Sequence, residues 1–344
     1  MTAPTRQRLK IGVVGCGAVG SFYGARLART GAEMHFLLRS DYDAVRAHGV
    51  RIQSVEGDFT VRPHAVRRPE EIGVCDVVLI GLKTTANDQF GALLPPLVGP
   101  DTRVLTLQNG LGNEDRLAAL FGPERIFGGL CFICLNRIEP GVIRHLAHGA
   151  VVLGEYRRPP TARVQSLAAL FAEAGLPCQV ADDLERAHWE KLVWNVPFNG
   201  LGVAGLVGFE NCVAGRVPAS LTRTRTLATD ELLADPRWAG LVRELMCEVI
   251  QAGRALGYLL ADSLVEENLE RTRCMGPYQA STLLDFERGQ ALEVESLFRE
   301  PRRQAHAAGV ATPRLDALCA VLGQLEAAQA ARRNPSSRSG PARG

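Results

Sequence analysis

The chain predicts an α/β plus all-α architecture, with a parallel-sheet domain in its first half and a helical domain in its second. Three observations carry that reading. Short β-rich apolar runs alternate with helical stretches up to about Val180, a Gly-x-Gly-x-x-Gly sequence joins the first run to the first helix, and strand signals fade after Asp182.

In the first half the runs are Ile11 to Val14, Met34 to Leu38, Val77 to Leu82, Val104 to Gln108 and Ile126 to Cys134. They are continuous apolar blocks, as expected where helices cover both faces of a parallel sheet. Gly141 to His145 and Ala150 to Gly154 read as an added hairpin or edge strands. In the second half Leu184 to Trp194, Leu241 to Leu256, Ala261 to Arg273, Glu295 to Ala308 and Pro313 to Ala330 read as helices. Leu241, Leu245, Val249 and Leu256, with Met246 and Ile250 beside them, form one wide apolar face at helical spacing. These signals place the sheet domain at 9–182 and the helical substrate and catalytic domain at 183–330. A flexible N-terminus is expected over 1–8 and a disordered tail over 331–344, where Arg332 to Pro341 has no apolar content to bury.

With 344 residues, 46% of them hydrophobic and 22% charged, the chain can bury the cores of two ordinary domains. Its net charge of +2, without a dense basic block on a periodic segment, excludes nucleic acid as the expected partner. No run of 18 apolar residues is present, and residues 1–10 lack the apolar stretch of a secretory signal, so no membrane association and a cytoplasmic location are expected. Nine cysteines, an odd number scattered mostly through apolar runs, read as reduced buried thiols. Cys131 and Cys134 form the one Cys-x-x-Cys, in the apolar strand-like Leu130 to Leu135. It has neither a helix N-terminus nor a second ligand pair at zinc spacing, so a packing role and no metal site are expected.

The strongest local signal is Gly15-Cys16-Gly17-Ala18-Val19-Gly20 between the strand at Ile11 to Val14 and a helical run from Ser21 to Arg29. Gly15 permits a tight turn, Gly17 lets a pyrophosphate approach the backbone, and Gly20 lets the helix pack closely on the strand, which is the Rossmann-type dinucleotide fingerprint. The second strand ends Phe36-Leu37-Leu38-Arg39-Ser40, where an NAD site would place a carboxylate for the ribose hydroxyls. Arg39 at that position suits a 2′-phosphate and favours NADPH (NADP+), while Asp41 nearby keeps NAD open. Two further strand ends carry polar groups at the carboxyl edge where open α/β sheets bind ligands: Lys83, and Asn109 within Gln108-Asn109-Gly110.

Of 39 Lys+Arg only Lys10, Lys83 and Lys191 are lysine. Arginine cannot release a proton at working pH, whereas an ammonium titrates, so Lys191 is the candidate proton donor. Lys191, Asn195 and Asn199 recur at i, i+4 and i+8 and share one helix face. Asparagine is a poor helix-interior residue unless its amide has a partner. Trp189, Leu192, Trp194 and Phe198 flank the stripe and would partly desolvate it.

The glycine motif, Gln108-Asn109-Gly110, the Glu190-Lys191-Leu192-x-x-Asn195-x3-Asn199 segment and Ser281-Thr282-Leu283-Leu284-Asp285-x3-Gly289-x3-Glu293 together resemble the ketopantoate reductase (2-dehydropantoate 2-reductase) family over about residues 9–325. The resemblance implies NADPH-dependent reduction of a 2-oxo acid in a cleft between a Rossmann domain and a helical domain, in pantothenate and coenzyme A biosynthesis. It implies Lys191 as the catalytic lysine, Glu293 as the second essential acid, and Asn109, Asn195, Asn199 and Ser281 as substrate-binding residues. Physically, hydride reaching a ketone carbon leaves charge on oxygen, which a fixed ammonium can stabilise and protonate. The segment after Glu293 departs from the family pattern, with Glu295 followed by Ser-Leu-Phe-Arg-Glu-Pro, so another 2-oxo or hydroxy acid is an alternative substrate, and a non-catalytic NADP-binding protein a more distant one. A homodimer is compatible with the chain.

Overall fold

The computed structural model describes residues 8–221 and 225–333. The chain forms two compact units that meet in sequence between Ala187 and His188.

The first unit holds a ten-stranded sheet. Its strands are β1 (Lys10–Val14), β2 (Glu33–Leu37), β3 (Val50–Ser54), β4 (Phe59–Val61), β5 (His64–Val66), β6 (Val77–Ile80), β7 (Arg103–Thr106), β8 (Ile126–Glu139), β9 (Val142–Glu155) and β10 (Cys178–Val180). They lie in the order β4-β3-β9-β8-β7-β6-β1-β2-β5, with β10 added beside β9. From β8 through β7, β6, β1 and β2 to β5 every pairing is parallel. Side chains leave both faces of these strands into separate cores. Ile11, Val13, Phe36, Val77 and Leu79 pack with Phe22 and Tyr23 of the Ala18–Ala28 helix. Val14, Leu37, Val78, Ile80 and Val104 pack with Phe90 and Leu117. Burial on both faces is why these strands read as unbroken apolar runs.

The two short runs read as a hairpin or edge strands, 141–145 and 150–154, are instead one strand. β9 runs without a break from Val142 to Glu155 and pairs antiparallel with β8 inside the sheet. The sequence splits because the β8–β9 ladder shifts register between Phe132 and Ile133 and between Cys134 and Leu135, and His148 and Gly149 adopt positive φ. Such bulges interrupt the period-two pattern that marks a strand. Cys131 and Cys134 stand in this ladder half-exposed rather than buried. Three residues of strand separate them by about 10 Å, too far for a disulfide. None of the nine cysteines is in a disulfide; Cys75, Cys212 and Cys319 are buried, and Cys247 and Cys274 are exposed.

The second unit is helical. Its main elements are Leu184–Ala204, which starts at the end of the first unit, Pro236–Ala255, Ser263–Arg273, Ser281–Glu287, Glu300–Ala307 and Pro313–Arg333. Of the apolar face anticipated here, Leu241, Leu245, Met246, Val249 and Ile250 are buried in Pro236–Ala255, whereas Leu256 caps the helix end and is 36% exposed. Leu184–Ala204 continues ten residues past Trp194 and contains Pro197, which cannot donate to the Val193 carbonyl and loosens the helix there. Residues 331–333, placed in the expected disordered tail, finish the last helix. That helix is anchored one turn earlier, where the Gln329 amide donates to the Phe286 carbonyl at 2.8 Å. Residues 1–7 and the remainder of the tail lie outside the described residues. Among the described residues no helix is long and apolar enough to cross a membrane.

Candidate active site

In the first unit the chain turns from β1 into the Ala18–Ala28 helix through Gly15, whose φ is +91°. A Cβ on Gly15 would stand 2.2 Å from the Leu82 nitrogen, and one on Gly20 would stand 2.3 Å from the Gly15 carbonyl oxygen. Only glycine fits either position. A Cβ on Gly17 would meet nothing within 4 Å, so the backbone there is open to a ligand. The helix that follows has no side-chain cap on its N-terminus, leaving N–H groups and the positive end of the dipole for an anion. A pyrophosphate fits this cradle. Cys16 within it is half-buried, but its sulfur faces the interior: desolvation drives the thiol far above the usual range, the nearby Asp41 carboxylate adds to that, and the Leu37 carbonyl accepts its S–H at 3.4 Å.

Beyond β2, Arg39 and Ser40 are exposed, and Asp41 is buried. Asp41 receives Arg137 in a forked pair, Nε to Oδ2 at 2.8 Å and Nη2 to Oδ1 at 2.5 Å, together with the Ser40 hydroxyl at 2.7 Å and the Gly141 N–H at 3.0 Å. Burial alone would raise its pKa, but the bonds from Arg137, Ser40 and Gly141 outweigh it and hold the carboxyl below its ordinary value. Both oxygens are therefore committed inside the protein. Asp41 is thus not positioned as a spare acceptor for ribose hydroxyls.

At the next two strand ends Lys83 is exposed and Asn109 half-buried. Beside them lie Asn87 and Asn113, 8% and 0% exposed, which donate and accept a mutual bond of 2.8 Å. Neither stood out in the sequence. An asparagine in a polar loop carries no period or motif, and only its burial marks it.

In the second unit the Leu184–Ala204 helix places Lys191, Asn195 and Asn199 one turn apart. Lys191 is half-buried, while Asn195 and Asn199 are 6% and 3% exposed. The Asn199 amide donates to Asn195 Oδ1 at 3.4 Å, and its own Oδ1 accepts from the Ser281 hydroxyl at 3.2 Å and the Thr282 N–H at 3.0 Å. The N-cap of the Ser281–Glu287 helix is Ala280, which has no side-chain acceptor. Asn199 thus supplies the cap from another helix. Trp194 packs beside Phe198 with the rings tilted by 32° and centroids 5.1 Å apart, and donates its indole N–H to the Thr272 hydroxyl at 2.9 Å.

Glu293, only 4% exposed, precedes a π-helical turn at Glu295–Arg299. Its carbonyl accepts the Leu297 N–H at 3.2 Å, so its backbone enters the helix while its carboxylate is buried. Pro301, one residue past the start of the following helix, cannot donate to the Leu297 carbonyl, which accounts for a widened turn just here. Such turns gather at functional sites. The structure thus joins Asn195, Asn199 and Ser281 by hydrogen bonds, and it places Lys191 on the same helix and Glu293 in the same unit.

Far from the glycine turn, at the amino ends of the strands, Glu33, His35 and His64 bring three metal-ligand atoms within 4.8 Å of one another. His35 is engaged with Glu33 at 2.6 Å and stacked on His64.

Comparison with known proteins matches residues 11–158 to the family model described as ketopantoate reductase PanE/ApbA, and residues 183–326 to its C-terminal model. A 2-dehydropantoate 2-reductase of Nostoc sp. is 38% identical over 315 residues, covering 90% of this chain and 92% of that protein. The crystal structure of 2-dehydropantoate 2-reductase from Geobacter metallireducens superposes with a TM-score of 0.83 at 44% identity, covering 92% of this chain and 99% of the other. The enzyme of the same name from Methylococcus capsulatus gives 0.81 at 37% identity over 93% and 98%. A D-mandelate dehydrogenase solved with NADH and anilino(oxo)acetate shares the fold alone, with a TM-score of 0.79 at 21% identity over 94% and 99%.

Proposed function

We propose, from the premise that this chain belongs to the ketopantoate reductase family and is an oxidoreductase acting on CH–OH groups, that it reduces a 2-oxo acid with NADPH and that 2-dehydropantoate is its substrate. The observation that carries the reading is the desolvated amide stripe of the second unit, Asn195–Asn199–Ser281, on the helix that bears one of three lysines. Amides and a hydroxyl bind the oxygens of a small acid without adding charge, and the ammonium beside them supplies a proton.

In the first unit Gly15 to Gly20, with Cys16, Ala18 and Val19 between the glycines, would hold the pyrophosphate, Arg39 the 2′-phosphate, and Lys83 and Asn109 the carboxyl edge of the site. When bound, the nicotinamide supplies hydride. Arg39 is free of the competition that Asp41 would offer, because Asp41 is saturated by Arg137, Ser40 and Gly141. That supports NADPH over NADH.

Lys191 carries the proton to the ketone oxygen and stabilises the charge that builds there. Asn195 and Ser281 orient the acid. Asn199 acts mainly through them, since its Oδ1 is occupied by Ser281 and Thr282. Glu293, buried in the same unit, is assigned to holding the substrate's developing hydroxyl or the lysine in register.

NADPH oxidation followed with a panel of 2-oxo acids tests the substrate. Highest kcat/KM on 2-dehydropantoate is expected; preference for an aromatic or other 2-oxo acid would move the chain to a sister activity of the family, and no oxidation with any would refute a reductase.

A further inference from the structure

At the carboxyl edge of β6 and β7 in the first unit, four buried side chains form a one-way chain of hydrogen bonds. The Thr106 hydroxyl accepts the Gln108 N–H at 3.3 Å and donates to Gln108 Oε1 at 2.9 Å. Gln108 Nε2 donates to Asn87 Oδ1 at 2.8 Å, Asn87 Nδ2 to Asn113 Oδ1 at 2.8 Å, and Asn113 Nδ2 to the Asn109 carbonyl at 3.1 Å. Thr106 and Asn113 are 0% exposed, Gln108 5% and Asn87 8%.

The oxygen and nitrogen of a side-chain amide are usually assigned from their surroundings. Here one end dictates the rest. The Asn109 carbonyl can only accept, so Asn113 must turn its NH2 toward it and its oxygen toward Asn87. That in turn requires Asn87 to donate, and Gln108 to donate to Asn87. Rotating any one amide sets oxygen against oxygen or nitrogen against nitrogen, in a site without water-like exposure to relieve it. The chain has one orientation, and its output is the position of the Asn109 peptide. It also ties the Thr84–Gln89 turn after Lys83 to the loop that carries Asn109.

We infer that Asn87 and Asn113 are positioning residues of the reductase, acting through Asn109. This rests on the reading above in which Asn109 meets cofactor or substrate. Asn113→Asp and Asn87→Asp keep shape but replace a donor by a carboxylate oxygen, breaking the chain at the step each residue makes.

The test is a double-mutant cycle on kcat/KM for the oxo acid, run with NADPH saturating and at a temperature where each variant is fully folded. Asn109→Ala removes the side chain and leaves the carbonyl. Asn113→Asp alone should lower kcat/KM about 10- to 100-fold, by setting a carboxylate oxygen against the half-buried Asn109 carbonyl and displacing that peptide. Combined with Asn109→Ala, it should add little to the loss from Asn109→Ala alone, because both act through one group. Losses that multiply would mean that Asn113 acts independently of Asn109 and overturn the inference, as would an Asn113→Asp enzyme within twofold of wild type. Should Asn113→Asp fail to fold, Asn87→Asp and the nearly isosteric Thr106→Val at the far end run the same cycle. Full activity in Asn109→Ala would strike the role of Asn109 itself, and that single arm separates the two failures.

Discussion

The glycine turn of the first unit and the asparagine stripe of the second solve the same problem, presenting polar groups to a ligand, by opposite means. The turn from Gly15 to Gly20 uses backbone. Its selectivity comes from missing side chains: a Cβ at Gly15 or Gly20 would collide with main-chain atoms at 2.2 and 2.3 Å. The stripe uses side chains whose amides are held by one another, Asn195 by Asn199, and Asn199 by Ser281 and Thr282. A backbone site is intolerant of addition. A side-chain site is intolerant of removal, and it can grade its response.

Substitutions at each site make that contrast measurable. The largest effect is expected from Lys191→Ala, which should cut kcat by about 10²- to 10⁴-fold, the range for loss of a general acid, with NADPH affinity nearly intact; steady-state kinetics with a retained kcat would take Lys191 out of its role. Gly15→Ala comes next and acts on the fold, because a positive φ and a backbone collision together should cost about 3 kcal/mol or more and lower Tm accordingly. A melting curve unchanged from wild type would show that the turn is not as tight as it stands here.

Asn199→Ala should fall in between the two behaviours. It removes the cap on Ser281–Glu287, at about 1 kcal/mol of stability, and raises KM for the oxo acid more than it lowers kcat. A change in stability without a change in KM would make it a cap alone. Arg39→Ala should weaken NADPH binding roughly tenfold, about 1.4 kcal/mol, while leaving NADH binding unchanged; equal losses in fluorescence titrations with both cofactors would deny the 2′-phosphate contact.

The smallest effect concerns pH. The Asp41 carboxyl is held below its ordinary value when folded, so its contribution is present above the unfolded carboxylate pKa and is lost as pH falls through the folded one. The Tm gap between wild type and Asp41→Asn should therefore be widest near neutrality and close in acid. A gap that is constant with pH would show that the carboxylate's charge does not contribute.

The two regions also differ in how far the sequence revealed them. The glycine turn was legible because strand, glycine spacing and helix are contiguous, and each glycine answers to a local steric demand. The i, i+4, i+8 spacing of Lys191, Asn195 and Asn199 was legible for the same reason. The bond from Ser281 to Asn199 was not derivable from spacing, since the two lie 82 positions apart. Asn87 and Asn113 were invisible, because their importance lies in burial and in each other. Asp41 read as an open acceptor until Arg137, 96 residues away, was seen to hold it. Among the strands, β4, β5 and β10 have three residues each, too few to show a period, and β9 was cut in two by bulges.

Ala280 at the start of the Ser281–Glu287 helix gives that helix no cap of its own, so its first turn is held shut by Asn199. A borrowed cap is also a gauge. Any oxygen ligand that draws on the amides of Asn195 or Asn199 shifts the free energy with which this turn opens, and opening is what amide hydrogen exchange counts. The exchange rate of the Thr282 amide should thus register occupancy of the stripe directly, giving a readout of substrate binding that needs neither turnover nor cofactor.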